Sequence, residues 1–209
     1  IHEDRNSGML FGLTTDMPQA GGIEPELPEA STDATPLVKL ADIGSGEAGP
    51  YFGRPDRVKV VRFDADERVQ PDYRCDIRHL PVPDESFDVV HSRHVLEHFG
   101  RVEVMDVLKE WTRILRVGGE FRVGVPNLIH ALQNILAMES DEIEPHPYPW
   151  WQVYGQQKDQ YDFHRNGFTR RRLQLLLERL GIFGDIVVEE GDGGQNLYAR
   201  ATKVRHPEL

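Results

Sequence analysis

A short apolar run, Leu37-Val38-Lys39-Leu40-Ala41-Asp42-Ile43, breaks abruptly into Gly44-Ser45-Gly46-Glu47-Ala48-Gly49. The run reads as a buried strand. The glycines allow positive φ and carry no Cβ, so a ligand can lie against the main chain. A second strand pattern, Val58-Lys59-Val60-Val61-Arg62-Phe63, ends at Asp64. That carboxylate lies about 20 residues beyond the first glycine, the spacing at which an acid can accept both hydrogen bonds of a ribose diol. Strand, glycine turn, strand and acid together offer a site for a ribose-bearing cofactor at the edge of an open α/β sheet.

The 209 residues suffice for one domain with a sizeable core. A formal net charge of −11 argues against broad nucleic-acid or anionic-membrane binding, which needs a cationic field. The single Cys75 excludes an internal disulfide framework. There is no run of about 18 apolar residues and no signal-type apolar region. A cytoplasmic location is therefore expected. Residues 16–36 carry four prolines and the acids Asp16, Glu24, Glu26, Glu29 and Asp33 with no base, so 1–36 read as an extended arm.

Further elements follow from periodicity. Residues 44–57 leave little room for a full crossover helix. Short strands are expected at Asp72–Asp76 and Ser86–Ser92. Val102–Leu115 is an amphipathic helix, stopped by Gly118-Gly119. Glu120–Val125 is a strand. Asn127 caps a helix to about Met138, with Leu128, Ala131, Leu132, Ile135 and Leu136 inward. Residues 139–168 are rich in proline and aromatics and read as an acceptor-side lid. Thr169 caps a helix that Gly181 ends, and Phe183–Glu189 with Asn196–Lys203 form a hairpin. The expected fold is α/β: a Rossmann-like, seven-stranded, mostly parallel sheet with a terminal antiparallel strand and helices on both faces. Its main domain is expected over 37–209.

Two motifs admit other chemistry. Gly44–Gly49 matches G-x-G-x-x-G, but Pro50, Gly53 and Pro55 oppose the helix that a dinucleotide pyrophosphate needs. His94-Val95-Leu96-Glu97-His98 matches H-x-x-E-H; on a helix His94 and His98 could share zinc, with Glu97 as base of a hydrolase. The motif instead follows a buried strand directly, so no metal is expected and His98 is read as packing locally.

Taken in order, Asp42-Ile43-Gly44-Ser45-Gly46, Asp64, Cys75-Asp76-Ile77-Arg78-His79-Leu80-Pro81, Phe87 through His98, and Leu115-Arg116-Val117-Gly118-Gly119 resemble the class I S-adenosylmethionine-dependent methyltransferases over roughly 37–203. The likeness is greatest to the small-molecule branch, including predicted methyltransferases of sugar and polysaccharide biosynthesis. It implies S-adenosyl-L-methionine as cofactor and methyl transfer to O or N of a small polar acceptor. A fold that binds the cofactor without catalysis is the alternative. By the same resemblance, Gly44 and Gly46 cradle the methionine part with Asp42 near its ammonium. Asp64 binds the ribose, Asp76 and Ile77 the adenine, and Ser92, Arg93 and His94 line the cleft. His94 and His164 are the candidate bases, with Tyr161 in support. Asp76 alternatively serves as a turn or cap residue.

Overall fold

The computed structural model describes residues 37–46, 57–138 and 148–206. The arm at 1–36, residues 47–56 with the rest of the glycine loop, and the first part of the expected lid lie outside them.

Seven strands form one sheet: β1 (Val38–Ile43), β2 (Val58–Asp64), β3 (Tyr73–Arg74), β4 (Phe87–Arg93), β5 (Leu115–Pro126), β6 (Phe183–Gly191) and β7 (Asn196–Lys203). Their order is β3-β2-β1-β4-β5-β7-β6. β1 pairs parallel with β2 and β4, and β4 parallel with β5. β7 runs antiparallel to both β5 and β6. The sequence-based architecture is therefore the observed one, including the single antiparallel strand. Strand order reverses at β1 and β4, and the crevice at such a reversal is where open α/β sheets bind ligands.

Helix α1 (Val104–Arg113) buries Val104, Val107, Leu108 and Trp111, an i, i+3, i+4, i+7 stripe. It packs with α4 (Arg170–Leu180), which turns Leu173, Leu176 and Leu177 inward. The Thr169 hydroxyl caps α4 by accepting from Arg172 N at 3.2 Å, and Gly181 ends it at φ +68°. The core runs from Ile43, Phe63 and Phe87 through Trp111 to Phe121 and Phe168.

Three expectations need correction. Gly118-Gly119 does not stop α1, which ends at Arg113; the glycines lie inside β5. There the pairing jumps from Phe87–Leu115 to Val89–Glu120. Gly118 takes φ +79°, and a Cβ on Gly119 would meet Asp88 O at 2.8 Å, so the bulge demands both. Second, α2 (Leu128–Leu136) is capped by Asn127 as expected, but only Ala131 is buried; Leu132 and Leu136 are exposed. Third, the 139–168 region is not a plain loop. It contains α3 (Tyr148–Tyr154), which pairs with α2.

An acid-sensitive clamp joins α1 to the loop before β4. Glu110 accepts from Arg113 Nη2 and from Leu80 N, both at 2.7 Å. The Arg113 guanidinium, with Leu80 N, holds the Glu110 carboxyl below the usual range. A depressed folded pKa adds stability that is complete above the unfolded value and lost as pH falls through the folded one. Glu110→Gln should thus be less stable than wild type by a constant margin above about pH 4.5, the margin closing at lower pH. Urea unfolding at pH 7, 4.5 and 3 checks this; a margin independent of pH refutes it.

Candidate active site

The C-terminal ends of β1 and β4 collect buried polar groups that a packed core does not need. In register, Asp42 stands beside His91 and Ile43 beside Ser92. Asp42 Oδ1 is 3.0 Å from His91 Nδ1, while among the described residues Asp42 Oδ2 has no hydrogen-bond partner. Among the described residues, Ser45 Oγ and Ser92 Oγ are buried without partners as well, and Ser92 is fully buried. Buried polar atoms cost free energy unless paired, so three orphans at one sheet edge mark a place for an outside polar group.

The two glycines of the turn divide the labour. Gly44 has φ +67°, and a Cβ there would stand 2.3 Å from Val95 Cγ2. Its missing side chain makes room for Val95. Gly46, at φ +52°, has no described atom within 4 Å of its would-be Cβ. That open face suits a ligand lying on the backbone. Asp64 anchors the same turn: Oδ2 accepts from Gly46 N at 3.0 Å and Oδ1 from Asp66 N at 2.9 Å. Each oxygen keeps a lone pair for a further donor.

Asp76 is not a free acceptor. Its carboxylate takes three bonds from the Arg78 side chain and one from Arg78 N, and Arg78 holds its pKa down. The turn-residue role is the observed one, with spare lone pairs remaining on the oxygens. Ile77 packs on the core, and its carbonyl accepts from Trp111 Nε1 at 2.9 Å.

After β4 the chain turns sharply. His94 adopts φ +56°, rare for a residue with a side chain and characteristic of functional sites. Leu96–His98 is a single 3-10 turn, so His94 and His98 do not share a helix face as the zinc motif requires. Leu96 is fully buried, as expected of a core residue. Glu97 is 1% exposed, and among the described residues neither carboxylate oxygen has a hydrogen-bond partner. His94 Nδ1 lies 3.3 Å and His164 Nε2 3.9 Å from Glu97 Oε1. Arg165 N and Asn166 N both donate to Glu97 O, tying 163–166 to this turn. His164 Nδ1 bonds Gln152 O at 2.9 Å, and burial pushes the imidazole pKa below its ordinary value. Burial therefore favours the neutral form of this ring.

The three expected catalytic residues separate. His94 and His164 meet around Glu97. Tyr161 instead lines a polar cleft of about 500 Å³ with Asp66, Arg68, Arg74 and Asp159. Arg68 bridges that cleft by pairing with Asp66 and Asp159. Arg93 leans over the Tyr198 ring and toward Asp192. Sequence reading missed His91 as Asp42's partner. Their positions near the C-terminal ends of neighbouring strands were the available signal.

Residues 53–123 match the family model described as a methyltransferase domain. A probable S-adenosylmethionine-dependent methyltransferase of Mycolicibacterium smegmatis is 41% identical over 81 residues, which cover 34% of this chain and 31% of that protein. The match thus spans under a third of that relative's length. A SAM-dependent methyltransferase from Aquifex aeolicus superposes with a TM-score of 0.52 at 17% identity, over 81% of this chain and 84% of its own. The Burkholderia thailandensis 1,6-didemethyltoxoflavin-N1-methyltransferase, solved with its substrate and S-adenosylhomocysteine, gives 0.51 at 18% identity, over 81% and 72%. The family match and these likenesses support S-adenosylmethionine as the cofactor. The fold is that of the class I methyltransferases, and the stretch that matches the methyltransferase-domain model, residues 53–123, carries Asp64, Asp76, Ser92 and the His94–His98 turn.

Proposed function

We propose that this protein is an S-adenosylmethionine-dependent methyltransferase that methylates O or N of a small polar acceptor, such as a sugar or related metabolite. The observation that carries it is the unpartnered Asp42 Oδ2 and Ser92 Oγ beside the open face of Gly46, at the reversal point of a methyltransferase-type sheet. The cofactor supplies a methyl group already activated on a sulfonium. The chain's own residues then bind, orient and deprotonate. Asp42 offers a buried carboxylate oxygen to the cofactor's ammonium. Asp64 offers its remaining lone pairs to the ribose hydroxyls. Ile77 and Asp76 flank the adenine. His164, its neutral form favoured by burial, takes the acceptor's proton with His94 beside it. In this reading residues 37–209 form the catalytic domain, 139–168 its acceptor-side wall and 1–36 an appended arm. The backbone bonds from Arg165 and Asn166 to Glu97 support the wall. The acidic balance of the chain speaks against nucleic acid as acceptor. None of the described helices is long and apolar enough to cross a membrane.

Calorimetry with S-adenosylmethionine and S-adenosylhomocysteine tests the reading. Asp64→Ala should weaken both by about 1–3 kcal/mol, the cost of polar groups left unpaired. Unfolding of the same variant reports how much of this is a loosened turn. Wild-type affinity in Asp64→Ala would place the cofactor elsewhere; binding without turnover across an acceptor screen would leave a cofactor-binding protein.

A further inference from the structure

We propose that Glu97, His98 and His164 form a binding site for a divalent transition-metal cation of the zinc type. One ligand atom from each of the three lies within 4.8 Å of the others. Glu97 is 1% exposed, and among the described residues neither oxygen has a hydrogen-bond partner, His94 Nδ1 at 3.3 Å being the nearest group. A buried carboxylate in that condition needs a cation or a proton. The histidines are arranged as metal ligands are. His164 bonds Gln152 O through Nδ1, and His98 bonds Phe163 O through Nδ1. With Nδ1–H donated to a carbonyl, each ring keeps its Nε2 lone pair for a metal, and the carbonyl fixes tautomer and orientation. The two rings meet edge to face at 5.0 Å, held by the turn after β4 on one side and the segment before α4 on the other.

Zinc bonds of 2.0–2.2 Å place neighbouring ligand atoms of a tetrahedral site about 3.4 Å apart. Glu97 Oε1 and His164 Nε2 are at 3.9 Å, so an ion would draw them in by a few tenths of an ångström. Two imidazoles and one carboxylate favour zinc or a neighbouring transition ion over magnesium, which takes oxygen ligands. Three protein ligands leave a coordination position open to water or a substrate oxygen. The site differs from the sequence motif in its partner: His164 takes the place the motif gave to His94. The site shares His164 with the proposed methyl transfer, and because Nδ1 is held by Gln152 O, a bound metal would occupy the nitrogen that reading uses as a base. Metal binding itself can be measured whether or not the chain is a methyltransferase.

The test is titration of the chelator-treated full chain with Zn²⁺, Co²⁺ and Mg²⁺, read by calorimetry and, for Co²⁺, by visible absorption. One Zn²⁺ per chain is expected, with a Co²⁺ spectrum of low coordination number and no stoichiometric Mg²⁺. Glu97→Gln, His98→Ala and His164→Ala should each weaken Zn²⁺ by at least about 100-fold, the upper end of what losing even an outer-shell partner costs. His206→Ala, an exposed histidine beside Glu85, should change nothing. Circular dichroism confirms folding of each variant; if one fails to fold, the other two decide. Absence of stoichiometric Zn²⁺, or affinity that survives in the folded variants, overturns the site. S-adenosylmethionine affinity of the metal-free protein reports on the proposed function separately.

Discussion

Trp111→Ala should destabilise the protein by about 3–5 kcal/mol, the range for deleting a large buried aromatic. The indole has no exposed surface, stands edge-on to Phe99 at 6.2 Å and donates to Ile77 O. Two effects are separable. Trp111→Phe keeps most of the volume but leaves the Ile77 carbonyl unpaired, a cost of about 1–3 kcal/mol. Because Ile77 sits in the proposed adenine wall, this variant should also loosen cofactor binding while remaining folded. Chemical unfolding paired with cofactor calorimetry measures both. A Trp111→Phe variant as unstable as Trp111→Ala would mean that the bond, rather than the packing, dominates.

Gly44→Ala and Gly46→Ala should diverge sharply although both glycines have positive φ. At Gly44 the left-handed backbone costs about 1–2 kcal/mol and the collision with Val95 about 1–3 more, together about 2–5 kcal/mol of stability. At Gly46 only the backbone term applies, about 1–2 kcal/mol, since the Cβ enters open space. That space is the proposed cofactor face, so Gly46→Ala should lose affinity out of proportion to stability. Gly44→Ala combined with Val95→Ala should recover part of its loss, because the smaller side chain removes the collision. Equal stabilities for the two single variants would refute the division of roles.

Most of the fold was legible because it rests on local patterns. Val104, Val107, Leu108 and Trp111 recur at helical spacing and are buried; Asn127 and Thr169 are side-chain caps; Gly181 is a left-handed end. The errors arose where tertiary context decides. Gly118-Gly119 is a stop signal by itself, but its place between Leu115 and Glu120 turns it into a bulge. Leu132 and Leu136 follow the helical period yet find no core to face. The site divides in the same way. The places of Asp42, Gly46, Asp64 and Ser92 at strand ends and turns were readable because those features announce themselves, and their cofactor roles remain the proposal made above. The grouping of Glu97 with His164 was not, because it joins residues far apart in sequence through α3, α4 and the turn after β4. The engagement of Asp76 by Arg78 was not legible, because it depends on how the turn after β3 folds.

The place of β7 has a consequence for how the molecule is made. β7 follows β6 in the chain, yet it lies between β5 and β6. Until Asn196–Lys203 emerges from the ribosome, β6 has no neighbour in the sheet and β5 has an open edge. Lys203 closes the gap, its buried ammonium donating to Thr112 O and Leu115 O at the junction of α1 and β5. Until then five of the seven strands can pair, with β5 left as an uncovered edge. Such an edge invites pairing with other nascent chains. Chaperone dependence and aggregation during expression should thus track variants in β7 more steeply than equally destabilising variants in β1.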